Sequence, residues 1–144
     1  MSEELTVVVA RELDSGLADA VAGLIPQLSS SAAFDRELLE RVVAADACEL
    51  FVAKLGETVV GMATLVTFPI PTGVRGHIDD VVVDESTRGR GVARALLQAM
   101  IGRAAEQEIR TLDLTSRPSR VAAIRLYESV GFVRRDTNTF RFAG

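Results

Sequence analysis

Aromatic and sulfur chemistry are scarce in this chain: 144 residues include no tryptophan, one tyrosine, one histidine and one cysteine. A lone Cys48 cannot close an internal disulfide, so nothing demands an oxidising compartment. It reads as a small buried hydrophobe. Few aromatics and a net charge of −4 argue against nucleic acid, which needs stacking platforms and a basic surface. Long apolar runs are missing too. The longest uncharged stretch, Thr58 to Val74, is broken by Pro69, Pro71 and Gly73 and is too short to span a bilayer. The opening Met1-Ser2-Glu3-Glu4 is acidic where a secretory signal carries positive charge. These absences predict a soluble, cytoplasmic protein with no membrane or nucleic-acid partner and no metal site.

What is present is ordinary for a folded domain: 48% hydrophobic and 25% charged residues. A chain of this length buries roughly 68–70% of its unfolded surface, enough for a core without staples. A single domain over 1–144 is expected. Charge is unevenly placed. Of 16 basic residues only 5 lie in positions 1–85, which hold 15 of the 20 acidic ones; positions 86–144 carry arginine but no lysine. An acidic front and an arginine-rich back suit a protein that grips an anion at one place and a cation at another, although two solvated faces would look the same.

Hydrophobic periodicity places the elements. Leu5–Ala10 reads as a strand. Asp14 caps a helix to about Leu28, bent or ended by Pro26, and a second helix covers about Asp35–Ala45. Strands are expected at Glu49–Lys54, Thr58–Phe68 and His77–Asp84, with a loop through Pro69, Pro71 and Gly73. Ala93, Leu96, Leu97, Met100, Ile101 and Ala104 then take helical spacing. A short strand, Thr111–Leu114, precedes a helix from Pro118 or Ser119 to Val130. Gly131 stands where a left-handed helix end is wanted, with Phe132 as its latch. The tail Phe132–Phe142 reads as two short strands about an Asp136-Thr137-Asn138 turn. Met62, Met100 and the phenylalanines read as core. The order predicts a mixed sheet with helices on both faces.

The chemistry concentrates after Val81-Val82-Val83. There a strand passes through Arg88-Gly89-Arg90-Gly91 into the helix that begins Val92-Ala93-Arg94. A helix's first turn leaves backbone N–H groups unpaired and carries partial positive charge. Glycines let an anion's oxygens approach those donors, and three arginines crowd the same spot, so a phosphate or pyrophosphate is the expected guest. A P-loop is excluded because Val92 follows Gly91. A dinucleotide fingerprint is matched in part: Gly89 and Gly91 fit, Arg94 replaces its third glycine, and Asp113 lies at a ribose-contact distance downstream.

Two segments resemble the GNAT acetyltransferase family. Arg88-x-x-Gly91-x-Ala93 is similar to its Arg/Gln-x-x-Gly-x-Gly/Ala signature. Ala123-Ile124-Arg125-Leu126-Tyr127-Glu128-Ser129-Val130-Gly131-Phe132 is similar to its Ala-x-x-Leu-Tyr-x-x-x-Gly-Phe helix end. One departure is Arg120, where the family often has asparagine. The resemblance implies an α/β fold: a mostly antiparallel mixed sheet of six to seven strands whose fourth and fifth splay apart around acetyl-CoA. It places the pyrophosphate on the amides of Gly89 to Ala93, beside Arg88, Arg90 and Arg94, and the pantetheine arm on the main chain of Val81, Val82 and Val83. Ser116 and Arg120 would lie near the cofactor's end.

The implied activity is transfer of an acetyl group from acetyl-CoA to a primary amine by direct attack. Tyr127 would be the general acid for the departing thiolate; without the resemblance it reads as a core tyrosine. Candidates for the base are Asp79 and His77, on one strand face by alternation, with Asp80 on the other. An acyl-CoA-binding module without turnover and a dinucleotide-binding protein remain open beside this reading. Open sheet edges would suit a homodimer.

Overall fold

The computed structural model describes residues 3–144. Strand β1 (Leu5–Val9) leads to helix α1 (Ser15–Leu28) and helix α2 (Arg36–Ala44). Both helices start on an aspartate: Asp14 accepts from the Leu17 amide (2.8 Å) and Asp35 from the Leu38 amide (3.2 Å). Strands β2 (Cys48–Leu55), β3 (Thr58–Ile70) and β4 (Gly73–Val83) form an antiparallel meander. A 3-10 turn (Glu85–Thr87), helix α3 (Val92–Glu106), strand β5 (Thr111–Leu114) and helix α4 (Val121–Ser129) complete the order. The sheet runs β1-β2-β3-β4-β5, and only the last pair is parallel.

Alternation along β2 sorts the core into two layers. Leu50 and Val52 pack with Val21 and Leu24 of α1 and Leu39 of α2, whereas Phe51, Ala53 and Leu55 face Leu96, Leu97 and Met100 of α3. Leu65, Leu96, Leu97 and Met100 are wholly buried. The helices therefore lie on opposite faces, and α1 and α3 each abut the far end of β4.

Several expectations need correction. The sheet has five strands, not six to seven: no strand forms after Phe132, and Val133, Phe140 and Phe142 are more than four-fifths exposed. A hairpin needs a face to bury, and these apolar side chains find none on this chain. They are not core, and Phe68 is only half covered. Pro69 lies inside β3, not in a loop, because β2 pairs with β3 no further than Val66 and the ring sits where the strand has lost that neighbour. Ile70 and Gly73 close the β3–β4 hairpin over Pro71 and Thr72. Helix α4 begins at Val121 rather than Pro118 or Ser119. No helix among the described residues is long and apolar enough to cross a membrane.

Candidate functional site

The parallel ladder between β4 and β5 is short. It joins Arg75 to Thr111 and ends with Ile78 opposite Leu114. Strand β4 continues for five residues, through Val81, Val82 and Val83, bonded to β3 on one side and facing a gap on the other. This is the splay expected between the fourth and fifth strands.

A bulge shapes its floor. On β3 a single residue separates Met62 from Thr64, while two residues of β4 separate their partners Val82 and Asp79. Asp80 takes the strain in a left-handed conformation, φ 53°, which aspartate tolerates better than most residues. The extra residue shifts the strand's parity, so Ile78, Val81 and Val83 pack toward α3 and α4 while Val82 packs toward α1 and α2. Strict alternation therefore fails at Asp80. The Asp79 carboxylate accepts the Asp80 amide proton (2.9 Å), and partial burial together with the Asp79 charge raises the Asp80 pKa above the usual carboxylate value.

A pocket of about 110 Å³ opens in the gap, lined by Asp79, Asp80, Val81, Arg120 and Tyr127 among others, with Leu28 of α1 and Thr115 at its edges. Tyr127 is held there by the end of α4. The Phe132 amide donates to the Tyr127 carbonyl (3.0 Å) and the Gly131 amide to that of Glu128 (3.2 Å), with Gly131 at φ 111°. These paired bonds form a Schellman ending.

At the open end of β4 the chain turns into α3. Asp84 accepts from the Ser86 amide (3.2 Å) and hydroxyl, and Thr87 buries its hydroxyl against the Asp84 carbonyl (2.9 Å). Gly89 (φ 81°) and Gly91 (φ 77°) are both left-handed. A β-carbon at either would meet nothing within 4 Å, so glycine serves backbone conformation here and the space above stays free. No side chain caps α3, and its first internal bond is from Ala95 to Gly91 (3.0 Å). The amides of Val92 and Ala93 thus have no partner within the helix, and Arg88 and Arg90 in the preceding loop are exposed. Such a helix start offers a cradle of backbone donors to an anion, and the edge of β4 that β5 leaves free offers backbone hydrogen-bonding groups to an extended segment.

Other site candidates are placed differently. His77 stays outside the pocket, with Nε2 3.9 Å from the Asp79 carboxylate. Arg94 reaches the Ser129 hydroxyl (3.0 Å) at the end of α4 instead of the cradle. The Ser116 hydroxyl bonds the neighbouring Arg117 carbonyl (3.4 Å). The charge asymmetry also divides: Arg103 serves buried Glu49, and Glu12, Asp14, Asp19 and Glu57 border a separate cleft beside β1. Sequence reading missed Gln27 and Leu28 at the site altogether. An Asp-Asp pair amid β-branched residues was the available sign of the bulge; nothing local marked Gln27.

A family model described as "Acetyltransferase (GNAT) family" matches residues 22–132. An uncharacterized protein of Mycobacterium leprae (strain TN) is 35% identical over 105 residues, 72% of this chain and 27% of that protein. The ribosomal protein bS18-alanine N-acetyltransferase of Escherichia coli (strain K12) is 42% identical over 53 residues, 37% of this chain and 36% of that one. The matches thus span about a quarter to a third of these curated relatives. Among solved structures, an aminoglycoside N-acetyltransferase in complex with CoA has a similar fold, TM-score 0.82 at 19% identity, covering 99% of this chain and 96% of that one.

Proposed function

The chain belongs to the GNAT acetyltransferase family, and on that premise we propose that it is a cytoplasmic enzyme transferring the acetyl group of acetyl-CoA to a primary amine. One observation carries the reading: the edge of β4 that β5 leaves unpaired leads, through a 3-10 turn and a short loop, into an uncapped, glycine-opened helix. The first supplies hydrogen-bonding groups to an extended pantetheine, the second a seat for its pyrophosphate. Val81, Val82 and Val83 would hold the arm, and the amides of Gly89 to Ala93, with Arg88 and Arg90, the diphosphate. Arg120, in the pocket lining, is available to the cofactor's reactive end.

Acetyl-CoA supplies the acyl carbon that an amine nitrogen attacks and a sulfur that leaves. The chain's part is to move protons. Asp80 takes the ammonium proton; its raised pKa makes it a better acceptor than an ordinary carboxylate, and Asp79 beside it adds negative charge that attracts the cation. His77, with Nε2 3.9 Å from the Asp79 carboxylate, lies outside the pocket and carries no proton in this scheme. Tyr127 gives its hydroxyl proton to the departing sulfur as the C–S bond breaks, and the tyrosinate recovers a proton from the nitrogen, which sheds its second N–H proton once the C–N bond has formed. The relatives named for ribosomal-protein and aminoglycoside acetylation support an amine acceptor as a class.

The test is Gly91→Glu, which places bulk, charge and a strained φ in the cradle. Acetyl-CoA binding, measured by calorimetry on folded protein, is expected to fall at least about 100-fold. Unchanged binding removes the cradle assignment; wild-type binding without CoA release across an amine panel leaves an acyl-CoA-binding module.

A further inference from the structure

Helix α1 and the turn after β4 are distant in the chain and meet at one side chain. The Gln27 amide nitrogen donates to Asp84 Oδ1 (2.8 Å) and to the Gly23 carbonyl (3.2 Å), and its oxygen accepts from the Glu85 amide (2.9 Å). Only a group with both donor and acceptor can serve a carboxylate and an N–H at once; glutamate would lose both donated bonds, and lysine the one accepted from Glu85. On one side of this clamp, Asp84 organises the 3-10 turn, and Gly89 and Gly91 follow within a few residues. On the other side, Leu28 is the next residue of α1 and borders the pocket shared by Asp80 and Tyr127. Pro26, just before the clamp, has no N–H, so the last turn of α1 lacks a ladder bond and depends more on what holds it from outside.

We propose that Gln27 is a positioning residue that couples the diphosphate cradle to the wall of the acceptor pocket. The inference rests on the functional reading above. An anion seated on the α3 amides orders the loop from Arg88 to Gly91 and, through the 3-10 turn, the Glu85 amide and Asp84 carboxylate. Those two groups hold Gln27, and through it the end of α1. Cofactor binding thereby sets the position of Leu28 before the amine arrives. Coupling of this kind is reciprocal: whatever fixes the end of α1 also tightens the cradle.

Hydrogen exchange with and without CoA tests this on the whole chain. In the wild type, CoA is expected to slow exchange both at 89–94 and at 25–31, the end of α1 and its following loop. Gln27→Met keeps the side chain's bulk without its polar groups, and Gln27→Glu sets a second carboxylate against Asp84. Both should keep the slowing at 89–94, lose it at 25–31, and weaken CoA binding about three- to tenfold. A purely structural Gln27 would lower Tm in the variants yet leave the CoA-linked change at 25–31 intact, and that result overturns the proposal. So does a wild type in which CoA protects 89–94 alone. A wild type that protects neither segment overturns the cradle assignment itself, and this inference with it.

Discussion

The Phe132 ring stands edge-on to the Tyr127 ring, centroids 6.4 Å apart and planes at 73°. The two residues are also joined through the backbone, since the Phe132 amide bonds the Tyr127 carbonyl. One local device, a helix ending on a left-handed glycine, therefore fixes the only tyrosine against the pocket. Tyr127→Phe keeps the ring contact and removes the proton. It is expected to lower kcat about 100-fold with acetyl-CoA affinity unchanged. Phe132→Ala keeps the hydroxyl and loosens the ring, so its loss of kcat should be smaller and accompanied by a lower Tm. Equal activity in Tyr127→Phe and wild type would remove the acid from its role.

The Asp80 bulge predicts opposite effects on stability and activity. Its pKa is raised in the folded state, so the folded protein holds that proton more readily than the unfolded chain does. Stability from this group declines as pH rises from the ordinary aspartate value through the raised one, because burial and the Asp79 charge disfavour the ionised form. Asp80→Asn accepts the left-handed backbone and carries no charge. A higher Tm at pH 7 with a greatly reduced rate is expected, along with loss of the acid limb of the pH–rate profile. An unaltered limb would move the base elsewhere.

Asp84 shows the reverse linkage. Hydrogen bonds from the Ser86 and Gln27 side chains come first in holding its pKa below the usual value. That contribution is complete above the unfolded aspartate pKa and is lost as pH falls through the depressed folded one. Asp84→Asn should therefore destabilise the protein at pH 7 and narrow its difference from wild type in acid. Parallel urea titrations at neutral and acidic pH would read this directly, and a pH-independent gap would contradict it.

Glu49 on β2 is buried, and both its oxygens accept from Arg103 Nε (3.0 and 3.2 Å), while Arg11 reaches it at 3.3 Å. Arg103 itself keeps a third of its side chain exposed. Arg103→Met leaves a buried carboxylate with one solvent-exposed partner and should cost about 3 kcal/mol. Glu49→Gln lets both arginines rehydrate and should cost less. Chemical denaturation of the two variants checks the ordering, and neither should alter CoA binding.

Much of this protein was readable before folding. Helices α1, α2 and α3 follow from apolar spacing and from aspartate or glycine at their starts, and strand β5 from its own short run of residues, all local signals. Gly131 predicted a left-handed helix end because few other residues adopt that conformation, whereas Gly89 and Gly91 were expected to clear room for an anion and the structure shows that they serve the same backbone need. The tail misled: Asp136-Thr137-Asn138 is good turn chemistry, but a hairpin exists only if its strands find something to cover.

Period, caps and backbone preference act over a few residues, so the amino-acid order by itself determined the elements, the helix entrance and the ending that holds Tyr127. Register and side-chain partnership act between segments that meet only when packed. Tertiary structure decided where β5 leaves β4, that Asp80 rather than His77 enters the pocket, that Arg94 turns to Ser129, and that Gln27 reaches across 57 positions to Asp84. Each of those outcomes depends on which backbones lie side by side, and that is settled by burial of the whole core.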